Sequence, residues 1–380
     1  MRKITSEIMG NLKRKQIKFV NLVGSFTLRA RLTTVFNHVL SSGNFILGKE
    51  LDEFEKHFAS YLGVKYCIGV GNGLEALQIS LMSLGIGRND EVITTPISAV
   101  ATTLAILAVG AKPIFVDTTP FGLINPDLIP ASITNKTKAI MPVHLYGHAV
   151  QIEKIKQICQ KHKLFLIEDA AQAHGSTVKG KRLGSFGTLG CFSFYPTKNL
   201  GALGDGGAVV TDDIRLAKIC RQIRDYGQTS KYHHVRSGLN SRLDELQAAL
   251  LKVKLSILDS DNLKRRRLVQ RYINNLSHIP AIEIVQPEQD TESNFHLFVI
   301  KTRQRDRLMR YLKRFGIETL IHFPVVIPDQ PFLKKDYDSI SLPIARFFVK
   351  TCLSLPCYPK MTTGEVDYIC KCIMEFYINN

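Results

Sequence analysis

The chain has no apolar run approaching the ~20 residues that a membrane-spanning helix needs, so nothing in it reads as a span. Its N-terminus is polar and basic and lacks the apolar core of a secretory signal. The eight cysteines have no zinc-ligand spacing: Cys370 and Cys372 are two apart and no other pair is closer than five. They read as reduced core residues of a cytoplasmic protein. There is no internal repeat and no low-complexity segment, so repeat arrays and fibrous architectures drop out. Negative charge is also in short supply. Thirty-three Asp and Glu face 50 Lys and Arg, for a net charge of +17.

A balance so basic invites a nucleic-acid reading. Against it, the positive charge is spread over much of the chain, with local runs only at Lys13-Arg-Lys15 and Lys264-Arg-Arg-Arg267. The second run falls in a long helical pattern and reads as a solvated face. No helix-turn-helix or aromatic RNA motif accompanies it. With 380 residues, 45% of them apolar, the chain can bury a sizeable core, and its length suggests about two domains.

Periodicity predicts alternating elements. Residues 28–40 read as a helix with Leu28, Leu32, Val35, Phe36 and Val39 on one face, and residues 51–61 as another. Tyr66–Val70 reads as a strand running into Gly71-Asn-Gly73 and a helix. Strands follow at 91–95, 113–116, 138–142, 164–169 and 208–211, with helices at 99–109, 151–162 and 213–224. This alternation argues for an α/β fold with a mostly parallel sheet covered on both faces. Loop 225–241 is too long for a simple connector. A long helical pattern, 243–276, leads to a smaller C-terminal α+β unit with a strand at 295–300, a helix at 304–315, a strand ending near His322-Phe-Pro324 and a helix at 363–377. The domains expected are a basic extension over 1–18, a large domain over 19–255 and a small one over 256–380.

The chemistry is concentrated in Phe192-Ser-Phe-Tyr-Pro-Thr-Lys198-Asn-Leu-Gly-Ala-Leu-Gly-Asp-Gly-Gly207. A short apolar strand is broken by Pro196. Lys198 follows, then four glycines from Gly201 to Gly207, which let the backbone approach a ligand closely. Lys198 is either a solvated loop cation or a Schiff-base lysine. Upstream, the apolar run Leu164–Ile167 ends in Glu168-Asp169, as a buried strand does at a site. Asp169 is either a helix cap or ion-pair partner, or the carboxylate that keeps the pyridine nitrogen of pyridoxal phosphate (PLP) protonated. Taken together, the strand-end Asp and the turn-borne Lys favour a PLP enzyme. The Gly71-Asn-Gly73 turn feeding a helix is an ordinary βα turn or an anion cradle.

Five blocks in order carry a resemblance: Gly-Asn-Gly-Leu-Glu-Ala-Leu (71–77), Pro-Val-His-Leu-Tyr-Gly (142–147), Glu-Asp-Ala-Ala-Gln-Ala-His-Gly (168–175), the lysine stretch, and Gly-Leu-Asn-Ser-Arg-Leu-Asp-Glu-Leu-Gln-Ala-Ala (238–249). From about Phe19 onward the chain resembles the PLP-dependent nucleotide-sugar aminotransferases of the DegT/StrS type. That resemblance implies the aspartate-aminotransferase-like (type I PLP) fold and a homodimer with shared active sites. It implies Lys198 as the residue that carries PLP and moves the proton, Asp169 at the ring nitrogen and Gln172 near the cofactor's 3-oxygen. It places the phosphate at Gly73, Leu74 and Ser193, with Asn240 reaching it from the neighbouring subunit, and His322 near the sugar. The implied reaction moves an amino group from an amino acid, expected to be L-glutamate, to a nucleotide-linked keto sugar. The Lys-Asn-Leu-Gly-Ala-Leu-Gly-Asp-Gly-Gly form resembles the branch acting on dTDP-linked 3-keto-6-deoxyhexoses. Alternatives are a 4-keto sugar aminotransferase, a PLP-dependent sugar dehydratase, in which a histidine replaces the lysine, and a non-catalytic regulator. Two positions depart from the family pattern: Ala99, where many members have an aromatic over the ring, and Pro328, where a second histidine is expected.

Overall fold

The computed structural model of the chain describes residues 16–379. Most of the expected basic extension, residues 1–15, lies outside them. Seven strands, Tyr66–Val70 (β1), Glu91–Thr94 (β2), Lys112–Phe115 (β3), Thr137–Met141 (β4), Phe165–Asp169 (β5), Leu189–Ser193 (β6) and Gly207–Thr211 (β7), form one sheet in the order β1-β7-β6-β5-β4-β2-β3. β2 to β6 pair in parallel, and β7 runs antiparallel to both β1 and β6. The reason for two covered faces is legible residue by residue, because successive strand side chains point to opposite sides. Val92, Ala139, Met141 and Ile167 join one apolar cluster, while Ile93, Ile140 and Leu166 join the other.

The helices preceding and crossing this sheet are Phe26–Ser42 (α1), Lys49–Leu62 (α2), Gly73–Ser83 (α3), Ala101–Ala108 (α4), Ile152–His162 (α5), Ile214–Arg224 (α6) and Glu245–Leu255 (α7). α2 shows how spacing becomes packing. Leu51, Phe54, Phe58 and Leu62 recur every three or four residues and are all buried, and Phe54 and Phe58 meet Phe194 edge-on at 5.4 Å. α1 forms as expected, yet only Val39 of its apolar face is buried.

The C-terminal unit is a second core. Leu258–Leu276 (α8), Arg305–Arg314 (α9) and Thr363–Ile378 (α11) cover three antiparallel strands, Glu283–Ile284 (β8), Phe298–Lys301 (β9) and Cys352–Leu355 (β10); Pro343–Thr351 (α10) lies between. Ile17 belongs to this core. It is 1% exposed and pairs in parallel with Ile317.

Three expectations change. The single helical pattern over 243–276 is two helices, because the Ser256 hydroxyl bonds back to the Val253 carbonyl (2.8 Å) and the chain tightens to an Ile257 N–H to Lys254 carbonyl turn (3.2 Å). The strand expected to end near Pro324 is only a bridge in which Leu320 and Ser354 exchange both backbone bonds (3.2 and 2.8 Å); beyond it Pro324 has no N–H to give. The basic run at 264–267 is not wholly a solvated face. Asn262, Arg265, Leu268, Val269 and Tyr272 share the inward stripe of α8, so Arg265 is buried while Lys264 and Arg267 are exposed.

Candidate active site

β5 ends at Asp169, which is 4% exposed at the C-terminal edge of the parallel strands, where open α/β sheets hold their ligands. Its Oδ2 accepts from Thr102 Oγ1 (2.8 Å) and its Oδ1 from the Ala171 N–H (3.1 Å). Burial pushes its carboxyl up from the usual range, against those bonds and the nearby Lys198 ammonium. A carboxylate in that position gains from a cation placed against it.

Lys198 follows the turn closed by its own N–H to the Tyr195 carbonyl (2.8 Å). Desolvation draws its amine down to about 8, opposed by Asp169. At that value an appreciable fraction of the amine is neutral and nucleophilic near neutral pH.

The anion cradle is built from three segments. Asn72 caps α3, its Oδ1 taking the Glu75 N–H (2.9 Å). The first N–H groups of a helix have no partner within it, which leaves those of Gly73 and Leu74 for a ligand. A Cβ on Gly73 would come within 2.6 Å of the Ser193 Cβ, and one on Gly207 within 2.4 Å of the Asn72 carbonyl. The glycines therefore allow the helix end, the end of β6 and the start of β7 to close on one another. Ser193 Oγ accepts the Tyr195 N–H (3.3 Å) and keeps its own proton to donate.

Gln172 is buried, and its amide is oriented by the backbone. Oε1 accepts the Tyr146 N–H (2.7 Å), so Nε2 remains the donor. His322 lies in a small cavity of about 130 Å³ with Thr197, Arg265 and His296. Its Nδ1 is 2.9 Å from Ser354 Oγ, and burial, with Lys198's charge, pushes it down to about 4, so the ring is neutral. Asn240 is not brought to this group. It is exposed, one residue before Ser241, whose hydroxyl accepts the Gly71 N–H (3.0 Å). Ala99 begins the turn that places Thr102, and Pro328 is buried in a short helical turn.

Glu168, the other carboxylate of the pair, has a different task. It is 0% exposed and accepts the N–H groups of Gly184, Phe186 and Gly187 (2.8, 2.6 and 2.7 Å). His144 Nδ1 accepts the Val150 N–H, so its Nε2 carries the proton and donates to Glu168 (3.0 Å). Glu168→Ala orphans all four donors and is expected to cost about 3–5 kcal/mol of stability. Urea denaturation measures it, and a loss below about 1 kcal/mol is the contrary result.

A lysine, a strand-end carboxylate and a glycine-tight anion cradle together match what a phosphorylated aldehyde cofactor requires. The pattern of the DegT/DnrJ/EryC1/StrS aminotransferase family matches residues 27–374. The chain belongs to this family. A dTDP-3-amino-3,4,6-trideoxy-alpha-D-glucose transaminase from Streptomyces venezuelae is 40% identical, over 95% of this chain and 96% of its own. A dTDP-3-amino-3,6-dideoxy-alpha-D-galactopyranose transaminase from Aneurinibacillus thermoaerophilus is 44% identical, over 90% and 93%. The structure of NtdA from Bacillus subtilis, with bound cofactor PMP, superposes with a TM-score of 0.88 at 34% identity, covering 95% of this chain and 86% of that one. This DegT-family chain is an aminotransferase of the type I fold, and its cofactor is PLP.

Sequence reading missed Thr102, His296 and Arg265. Thr102 gave no signal, being one small residue among several in α4. His296, whose Nδ1 is 3.1 Å from Asn199 Oδ1, precedes an ordinary apolar strand. Arg265 was legible from the α8 stripe once Asn262 and Leu268 are counted on it.

Proposed function

We propose that this protein moves the amino group of L-glutamate to carbon 3 of a dTDP-linked 3-keto-6-deoxyhexose, releasing 2-oxoglutarate and the 3-amino sugar. The observation that carries the reading is Lys198, its amine drawn down to about 8 within the field of Asp169; the two transaminase relatives suggest the sugar. Bound PLP supplies an aldehyde carbon that takes up the amino group and a ring that withdraws electrons. Asp169 would oppose the ring nitrogen's positive charge, Gln172 Nε2 would donate to the 3-oxygen, and the N–H groups of Gly73 and Leu74 with the Ser193 hydroxyl would hold the phosphate. Lys198 would anchor the cofactor through its amine and, when that amine is free, would carry the proton off the donor carbon and later return one to the sugar carbon. His322, neutral and a hydrogen-bond donor or acceptor, faces the sugar.

The protein works as a cytoplasmic homodimer in this reading. The support is a set of exposed apolar side chains, Phe26 (80% exposed), Leu40 (58%), Phe45, Ile46 and Leu47 within residues 26–47, and Leu203 (59%) in the glycine-rich stretch after Lys198. Such a patch marks an association surface, and in the dimer Asn240 reaches the partner's phosphate cradle. Leu40→Asp is expected to yield monomers in sedimentation and to weaken PLP retention about tenfold or more. Monomers that keep PLP as tightly as the parent would remove Asn240 from the site.

Capture of PLP by the cofactor-free protein needs the neutral amine. Because burial lowers the amine's pKa, the protonated form dominates below about 8 and the neutral form above it. The capture rate is therefore expected to rise about tenfold per pH unit up to pH ~8 and then level off. A midpoint near the ordinary lysine value of about 10.4 would contradict this.

The function is tested by adding L-glutamate and then the keto sugar to PLP-loaded protein, following the visible absorbance and locating the new amine by NMR. Nitrogen on carbon 4 overturns the regiochemistry, and no response to any donor overturns the reading altogether.

A further inference from the structure

Arg265 is a fixed cation in an unusual setting. It is 6% exposed and lines both the small cavity with His322 and a larger one of about 370 Å³ that also contains Lys198. No carboxylate of the described residues pairs with it. The acid one turn earlier, Asp261, is engaged by Lys264 (2.8 Å). Its hydrogen bonds all leave from one nitrogen. Nη1 donates to the carbonyls of Cys357 (2.5 Å), Phe295 (3.3 Å) and His296 (3.5 Å). Those bonds fix the guanidinium plane between α8, the segment before β9 and the segment after β10. Nε is buried without a partner, and no bond leaves Nη2 to any described residue. That Nε–Nη2 edge has the geometry that takes two anionic oxygens side-on.

The neighbours do not compensate the charge. His296 and His322 share the small cavity, and burial holds both rings below their usual range, so they are neutral and bring no negative charge. The larger cavity adds Arg31, Lys254 and Lys360. Among the described residues Arg31 bonds to Ser256 Oγ (3.1 Å) and Lys254 to the Gly201 carbonyl, and neither pairs with a carboxylate. A buried guanidinium with no carboxylate in contact, and with Asp261 acting on it only through space, is costly by itself. The cost is offset when a reactant brings the anion.

We propose that Arg265 is the anion anchor of the reactant site, its Nε–Nη2 edge binding a pair of anionic oxygens on the molecule that meets Lys198. This rests on the amino-transfer reading, which supplies two reactants with that chemistry. The donor has carboxylates, and the nucleotide-linked sugar has a diphosphate. The two enter in separate half-reactions, so they can be told apart.

The experiment uses PLP-loaded protein and two unreactive probes, glutarate for the dicarboxylate and dTDP for the diphosphate, titrated by calorimetry. Arg265→Met is expected to weaken one probe by about 10–100-fold, the range for a lost charge-assisted hydrogen-bond pair, and leave the other within about twofold. Loss of glutarate binding assigns the edge to the donor, and loss of dTDP binding assigns it to the nucleotide. Arg265→Lys keeps the charge without the fork and is expected to recover part of the loss; if the Met variant does not fold, the Lys variant alone decides, with a loss confined to one probe. Unchanged binding of both probes, or an equal loss of both with a lowered melting temperature, marks Arg265 as a strut and overturns the proposal. Parent protein that binds glutarate but never responds to L-glutamate would instead sink the amino-transfer reading, since the titration requires no turnover.

Discussion

Lys198→Ala is expected to give a folded protein that shows no visible band of lysine-bound cofactor and turns over about 10⁴-fold more slowly, or less. Two losses combine in one substitution. In the proposed mechanism the amine is the covalent anchor, and it is also the base that takes the donor's proton and the acid that returns one to the sugar carbon. The three histidines that feel the Lys198 charge are poor substitutes. His174, His296 and His322 are all held neutral by burial and are poor proton acceptors at pH 7, with His174 pushed down to about 3 and His322 to about 4. Lys198→Arg separates the contributions, since a guanidinium keeps the charge but neither condenses with an aldehyde nor gives up its proton. Both variants are assayed in single turnover with L-glutamate, with melting curves as the fold control. Activity within tenfold of the parent in either would remove Lys198 from the chemistry.

Asp169→Asn is the second large effect. The side chain keeps its shape, its amide oxygen can still accept the Ala171 N–H and its NH2 can donate to Thr102 Oγ1, but it would bring no charge to the cofactor's ring nitrogen. Turnover is expected to fall about 10²–10³-fold, the range for removing one preorganised electrostatic partner. The sign of the stability change is opposite. Burial already raises the Asp169 carboxyl, so the protein without cofactor is expected to be as stable or more stable with Asn, while the stabilisation gained on adding PLP shrinks. Thermal melting with and without PLP reads both quantities. A destabilised apoprotein with undiminished turnover would make Asp169 an architectural residue.

The parts of this site visible in the sequence are those whose chemistry is local. An apolar run stopping at Glu168-Asp169 marks a strand end without reference to any other segment. A lysine between Pro196 and a glycine cluster does the same for the turn. Local sequence does not distinguish the two carboxylates, however. Glu168 and Asp169 are adjacent, and strand alternation alone sends one to the Gly184–Gly187 loop and the other to Thr102. The covered sheet was legible from the alternation of strands and helices, and the pairs Val92/Ile93 and Leu166/Ile167 realise it by sending neighbouring side chains to opposite faces. The helix break at Ser256 was hidden because it depends on a side chain bonding its own backbone and on Arg31 meeting it from more than 200 residues away. The bridge at Leu320 was read as a strand because β-branched and apolar spacing does not reveal whether a neighbouring edge is long enough to pair with.

Ile17 has a bearing on how the protein is made. Its N–H bonds to the Gly316 carbonyl (2.9 Å), and its own carbonyl receives the Glu318 N–H (3.0 Å). A ribosome adding about 5–20 residues each second needs roughly 15–60 s to deliver residue 317 after residue 17. Through that interval the C-terminal core cannot finish, and the apolar Ile17 side chain waits for its partner. Nascent chains arrested near residue 255 are accordingly expected to leave Ile17 open to protease and to chaperones, and full-length chains to protect it.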